Sequence, residues 1–388
     1  MKQKLHILPI IIISQFACTS TWFAGNAIIE SLTKKLDFGA DIVSYVISSV
    51  QFGFIIGTLI FGILMIADRF SPSKVFMVCA FLASISNLLL VYPDLNVGGL
   101  LFARFSTGFF LAGIYPVGMK IAADYYEKGL GKALGFLVGA LVLGTAFPFL
   151  IKGSPLANHP DTVIKLTSSI TAIGGLFLFF LVPNGPFRVA SATIKLDAGP
   201  QLFKNKKFKK AAFGYFGHMW ELYAFWAFTP IAIQFFAIES ASEISVSLWS
   251  GIVIALGGLS CAYGGLISQR IGSKKVALIA LIASGFLCSI SPILFSFPIY
   301  LFLAGWCLWG IAVTADSPQF SNLVASAVAP ELKGTALTLV NCIGFATTII
   351  SIQLLGSLQS IVPISLLFIP LAIGPLFGVY HLMAKNDK

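Results

Sequence analysis

Ala67-Asp68-Arg69-Phe70-Ser71-Pro72-Ser73-Lys74-Val75 is a short polar, basic stretch set between two long apolar ones. A second version follows, Ser268-Gln269-Arg270-Ile271-Gly272-Ser273-Lys274-Lys275-Val276, at a constant offset: 269 − 68, 270 − 69, 275 − 74 and 276 − 75 all equal 201. Each version places a charged hairpin between apolar segments, so one half of the chain reads as a diverged copy of the other. Further landmarks repeat. Pro116 corresponds to Pro318, and Gly131-Lys132-Ala133-Leu134 corresponds to Gly334-Thr335-Ala336-Leu337.

The 388 residues are 57% hydrophobic and only 10% charged, whereas soluble domains carry roughly 25% charged residues. That balance points to a polytopic membrane protein. The net charge of +10 invites a nucleic-acid reading. The basic residues, however, separate apolar runs too long for a soluble fold, so they read as topology signals and no nucleic-acid partner is expected. Cys18, Cys79, Cys261, Cys288, Cys307 and Cys342 all fall in apolar stretches without metal-ligand spacing; they read as small buried hydrophobes, and no metal or cofactor is expected. Met1-Lys2-Gln3-Lys4 followed by an apolar run mimics a signal peptide. The run continues past Trp22 and Asn26 with no small-residue cleavage site, so it reads as an uncleaved first helix.

A membrane-spanning helix needs roughly 20 mainly apolar residues. Six such segments fit the first half (6–29, 42–67, 75–92, 97–124, 132–151, 164–183) and six the second (211–236, 244–267, 276–294, 299–325, 335–354, 361–383). The expected fold is an all-α polytopic membrane protein: twelve transmembrane helices in two pseudo-symmetric six-helix bundles, 1–183 and 211–388, joined by a basic linker, 184–210. The linker's tail, Leu202 to Lys210, suits either a segment lying on an anionic leaflet or a merely solvated connection. With both termini inside, Lys2, Lys4, Arg69, Lys74, Lys128, Lys132, Arg188, the linker lysines, Arg270, Lys274, Lys275, Lys333 and Lys385 are cytoplasmic, and only Lys34, Lys35, Lys152 and Lys165 are not. The positive-inside rule therefore places both termini in the cytoplasm.

The repeated hairpin resembles the loop between helices 2 and 3 of the major facilitator superfamily, and its repeat between helices 8 and 9. The family pattern is roughly Gly-x-x-x-Asp-Arg-x-Gly-x-basic-basic. The first copy has Leu64 and Ser71 at the two glycine places; the second keeps Gly265 and Gly272 but has Gln269 for the Asp. The resemblance implies alternating access between pseudo-symmetric halves, a cavity lined by helices 1, 4, 7 and 10, and Asp68, Arg69, Lys74, Asp124, Arg270 and Lys275 as a cytoplasmic gate. Arg104-Phe105-Ser106-Thr107-Gly108 is similar to the family's fourth-helix Arg-x-x-x-Gly motif, whose arginine handles substrate or protons; a structural arginine paired to a neighbouring helix is the other reading.

An ionisable group deep in a membrane costs roughly 2.5–3.5 kcal/mol on insertion scales, which makes it a functional candidate. Besides Arg104 these are Lys120, Asp124, His218, Glu221 and Asp316. Lys120 and Asp124 are spaced to pair, Asp124 could also meet Arg69, and Asp68 is placed to cap a facing helix. His218 and Glu221 lie one turn apart and read as a proton-loading pair, with Asp316, beside Ser317-Pro318, as companion; a neutral brace for helix packing is the alternative. Gln15, Thr19, Trp22 and Asn26 fall at steps of four, three and four on one stripe of the first helix, and Tyr115 lies three turns beyond Arg104. Trp306 and Trp309 read as cavity walls, interface anchors or packing. Gly135, Gly139 and Gly144 permit close helix contact. Ala140 stands where the family's drug-antiporter signature has Pro, and the second and eighth segments lack the arginines of nitrate carriers.

The expected function is secondary active transport of a small polar or amphipathic organic solute, with protons as coupling ion, by a monomer in a bacterial inner membrane. Rivals are a transport-derived sensor, which would need an output domain, and an efflux pump for amphipathic compounds. A membrane enzyme would need a nucleophile–base or metal constellation, which the sequence does not offer. The topology has a direct test. A cysteine at Glu239 should be labelled by an impermeant thiol reagent from outside and one at Lys206 spared; the reverse pattern would overturn the arrangement.

Overall fold

The computed structural model describes residues 6–36, 39, 42–126, 130–157, 159–188 and 198–384. Lys2, Lys4, Lys128, Lys385 and part of the linker lie outside them. Among the described residues there is no strand. Eleven helices are long and apolar enough to cross a membrane, and a shorter apolar helix, Ile7–Thr19, precedes them. The chain divides into two compact units, Met1–Ser191 and Ala192–Lys388.

In the first unit the spans are α1 (Ile7–Thr19, resuming as Ala24–Ala27 and Ile29–Leu36), α2 (Ile42–Ile63), α3 (Pro72–Leu88), α4 (Val97–Leu111, resuming as Tyr115–Tyr125), α5 (Leu130–Lys152) and α6 (Pro160–Leu181). In the second they are α7 (Lys206–Glu239), α8 (Val246–Ile271), α9 (Ser273–Leu294), α10 (Ile299–Ala315, resuming as Ser317–Ser326), α11 (Lys333–Leu358) and α12, which opens with the tight turns Ile364–Leu366 and Ile369–Ala372 and continues as Ile373–Met383. Several boundaries have a local cause. Pro72 and Pro160 stand in the first turns of α3 and α6, where the missing N–H costs nothing. Gly272 takes a φ of 89° and turns the chain between α8 and α9, a conformation that suits a residue without Cβ. α7 begins at Lys206, earlier than the expected 211. Asn205 explains this, because its side chain accepts from the Lys207 and Phe208 amides at 2.9 and 3.2 Å and caps the helix.

Interruptions fall at matched places. α4 unwinds at Ala112-Gly113-Ile114, just before Pro116, and α10 unwinds at Asp316, just before Pro318. A proline ring excludes the fourth carbonyl before it from helical bonding. For Pro318 that carbonyl belongs to Thr314, and the Cys261 thiol of α8 donates to it at 3.1 Å.

The repeat extends to packing. A Cβ on Gly108 of α4 would lie 2.0 Å from the Val50 carbonyl oxygen of α2, and one on Gly310 of α10 would lie 2.3 Å from the Val253 carbonyl oxygen of α8. The offsets are 310 − 108 = 202 and 253 − 50 = 203. Both units thus press a glycine of one helix onto the backbone of its neighbour, which is how helices associate where lipid removes the hydrophobic drive. On α5, Gly144 abuts the Thr19 hydroxyl of α1 in the same manner.

Gly108→Ala and Gly310→Ala should each destabilise by roughly 1–3 kcal/mol through overpacking, read as a lower midpoint of thermal unfolding in detergent. Gly131→Ala is the control, because a Cβ there meets nothing within 4 Å, and its midpoint should not move.

Candidate functional site

The break in α1 begins with Cys18-Thr19-Ser20-Thr21. Short hydroxyl side chains compete with backbone amides for helix carbonyls. Here the Thr19 hydroxyl donates to the Gln15 carbonyl at 2.8 Å, Ser20 to Ala17 at 2.7 Å and Thr21 to Cys18 at 3.1 Å. The chain then turns through Ser20–Phe23 before helix resumes at Ala24. The carbonyls of Thr21 and Trp22 leave the ladder, and Arg104 of α4 takes both. Its Nη1 donates to Thr21 O at 3.2 Å and to Asn87 Oδ1 of α3 at 3.3 Å, and its Nη2 donates to Trp22 O. The Asn87 amide nitrogen in turn donates to Ser168 Oγ at 2.9 Å and Thr167 Oγ1 at 3.2 Å on α6. Arg104 is fully buried, and among the described residues no carboxylate pairs with it.

This revises two sequence expectations. Gln15, Thr19, Trp22 and Asn26 do not form one continuous stripe, because the helix that would align them is broken at Ser20–Phe23. Tyr115 likewise lies beyond the interruption of α4 and is not carried round from Arg104 on one regular face. All of the first four are buried: Gln15 packs against Gly118, and Trp22 lies tilted against Phe54 with ring centroids 4.9 Å apart. Neither Gln15 nor Asn26, nor Gln51 on α2, hydrogen-bonds through its amide to any described residue.

In the second unit His218, Glu221 and Asp316 are buried. His218 of α7 places Nδ1 2.9 Å from Asp316 Oδ1, and its Nε2 lies 2.7 Å from the Ser317 hydroxyl. Both partners stand where α10 is interrupted. Glu221, one turn on, does not pair with His218. Its Oε1 accepts from Trp309 Nε1 at 2.6 Å and from the Cys288 thiol at 3.2 Å. The expected His218–Glu221 couple is therefore a His218–Asp316 couple beside an independently held carboxyl. Trp306 and Trp309 are wholly buried among Phe225, Phe295, Phe302 and Phe368; neither anchors an interface.

The chemistry open to His218 follows from its partners. Nδ1 stands at ion-pair distance from the carboxylate, although Asp316 Oδ1 makes no hydrogen bond to a described residue there, and Nε2 can accept from the Ser317 hydroxyl when the ring is neutral. It can donate to the same hydroxyl when the ring is protonated, because a hydroxyl serves both roles. Gain and loss of a proton leave the Nε2 contact to Ser317 satisfied.

At the polar hairpin of the first unit, Asp68 pairs with Lys120 at 2.8 Å, and Lys120 also lies 4.0 Å from Asp124. Asp68 sits within the short helix Ile66–Arg69, where it meets this lysine. Arg69, Lys74, Arg270 and Lys275 are exposed, and among the described residues none makes an ion pair; Arg69 does not reach Asp124. The guanidinium that joins the cluster is Arg188, whose Nη2 donates to the carbonyls of Asp68 and Phe70, each at 2.9 Å. The segment leaving α6 is fixed there by Ser73 Oγ to Val182 O (2.6 Å), Tyr125 Oη to Pro183 O (2.6 Å), Ser71 Oγ to Asn184 Oδ1 (2.8 Å) and Phe187 N to Asp124 O (3.0 Å). Gly185 allows this approach, since a Cβ there would lie 2.3 Å from Asp124 O.

Asn87 is not singled out from the sequence, and Cys288, Ser317 and Arg188 read there only as a buried thiol, a neighbour of Asp316 and a topology charge. Only Asn87 carried a usable signal, as an amide inside the apolar run 75–92. The others are ordinary residues given their roles by distant partners.

The sequence model described as "Major Facilitator Superfamily" matches residues 10–352. No curated protein matches the sequence. Among solved structures, a crystal structure of a point mutant of the nucleoside transporter NupG is similar with a TM-score of 0.71 over 97% of this chain and 98% of that one, at 18% identity. That identity speaks for the fold alone. With two sets of spans, matched interruptions before Pro116 and Pro318 and a family match over most of its length, the chain belongs to the major facilitator superfamily of membrane transporters.

Proposed function

We propose that this protein is a secondary active transporter that moves a small polar or amphipathic organic solute by alternating access, coupled to protons. Membrane transport follows from the family; the coupling is the finer reading. The observation that carries it is His218, a buried group 2.9 Å from the Asp316 carboxylate whose contact to the Ser317 hydroxyl can be made in either protonation state. Ionisable groups inside a membrane mark proton relays and substrate paths. Their position at a discontinuity of α10 adds support, because transporters of this architecture build sites from discontinuous helices. Glu221 is the second candidate, a buried carboxyl on the same helix.

The buried amides of Gln15, Asn26 and Gln51, together with Trp22, favour a solute with hydrogen-bonding groups on an apolar frame. Nucleosides, the cargo of the structural neighbour by name, are among the first solutes to offer. Arg104 is proposed to hold the solute pathway of the first unit in shape, and Asp68, Lys120, Asp124 and Arg188 to form the cytoplasmic gate. The bundles are proposed as 1–183 and 211–388, with the linker 184–210 and both termini in the cytoplasm of a bacterial inner membrane.

The test is flux in proteoliposomes, with exchange of labelled for unlabelled solute measured on the same preparation. Asp316→Asn removes the charge that His218 faces while keeping size. Uptake driven by a pH gradient should fall at least about tenfold, equivalent to roughly 1.4 kcal/mol, while exchange persists, since a loaded carrier can cycle without releasing its proton. Normal pH-driven uptake in Asp316→Asn together with its loss in Glu221→Gln would move the role to Glu221. Normal uptake in both would remove proton coupling through this site.

A further inference from the structure

In the second unit a cavity of about 500 Å3 opens beside the start of α7, lined by Lys207 and Lys210 of α7, Lys274 of α9, Leu323 and Ser326 of α10, and Met383 of α12, among others. Three of its lining side chains are cationic and none is acidic. Lys207 and Lys274 are exposed and make no ion pair with any described residue. Lys210 is held against the Ala384 carbonyl at 2.6 Å, which fixes its ammonium at the rim. The N-terminus of α9 opens here with Ser273 and Lys274, and no side chain caps it. Its unsatisfied amides add partial positive charge to that of the lysines.

The apolar surroundings narrow the ligand. Ile373, Leu376, Tyr380 and Met383 lie at steps of three, four and three along α12, and all are between 59% and 70% exposed. They form one apolar stripe that runs along the helix and ends at the cavity, where Met383 is part of the lining. A free anion has no use for such a stripe, but an acyl chain does.

We infer that this cavity binds a phosphate group, and that the stripe on α12 selects the phosphodiester of an anionic phospholipid whose chains run along it. Basic pockets between transmembrane helices suit anionic headgroups, and each lysine near such a surface adds to the attraction. The inference stands apart from the transport reading, since it uses neither His218 nor Asp316.

The experiment uses the full chain in detergent with three probes: phosphatidylglycerol, zwitterionic phosphatidylcholine and inorganic phosphate. Binding is read by native mass spectrometry and by thermal shift, because a ligand of the folded state raises its apparent stability. Phosphatidylglycerol should bind and raise the unfolding midpoint, with phosphatidylcholine much weaker. Inorganic phosphate should compete only at far higher concentration. Lys207→Gln with Lys274→Gln should weaken phosphatidylglycerol binding roughly tenfold or more, and the Lys207→Arg, Lys274→Arg pair should restore it, which separates lost binding from lost folding. Phosphate binding as well as the lipid at equal concentration would keep the anion site and remove the lipid from it. Equal binding of both lipids, or an undiminished affinity in the glutamine pair, would overturn the inference.

Discussion

A fully buried guanidinium with no carboxylate beside it is costly in a membrane protein. Arg104 is tolerated because α1 is broken where it arrives. The break leaves carbonyls that a regular helix would have used, and in apolar surroundings such groups must find donors. Each defect satisfies the other: the arginine supplies donors, and the unwound turn supplies acceptors. Asn87 extends the arrangement to α3 and α6, so four helices of the first unit are positioned around one side chain.

The second unit solves the same problem differently. At the place that repeats Arg104, given by 306 − 104 = 202 and 318 − 116 = 202, stands Trp306. Its neighbour α7 runs as one helix from Lys206 to Glu239, with Pro230 inside it, and has no unwound turn like that of α1. Aromatic rings fill the space, and the titratable groups sit nearby on α7 and at the interruption of α10. The repeat therefore preserved the α4 and α10 interruptions and the glycine contacts, while the two units diverged in polarity: a buried guanidinium in one, and a buried histidine and two carboxyls in the other.

Much of the fold was legible because membrane burial leaves simple marks. Apolar runs, the two hairpins and the matched prolines sufficed for the spans and the repeat. What remained hidden depended on backbone that stops being helical. Spacing arguments assume a regular helix, so Gln15, Thr19, Trp22 and Asn26 read as one stripe, although Thr19-Ser20-Thr21 carried the warning in three consecutive hydroxyls. His218 and Glu221 read as partners because they are one turn apart. Their real partners, Asp316, Ser317, Trp309 and Cys288, are contributed by α9 and α10, and only the tertiary fold selects them. Arg188 belongs to the same class, since a loop arginine gains meaning only from the carbonyls that it reaches.

The central claim is that Arg104 holds the unwound turn of α1 in place, and hydrogen exchange reads that turn directly. In the purified protein, peptides covering Thr19 to Asn26 should exchange at least about tenfold faster in Arg104→Gln than in the unchanged protein, because the local opening free energy falls. Peptides from α8 and α9 should exchange as before. Unchanged exchange across Thr19 to Asn26, with Arg104→Gln folded, would contradict the account.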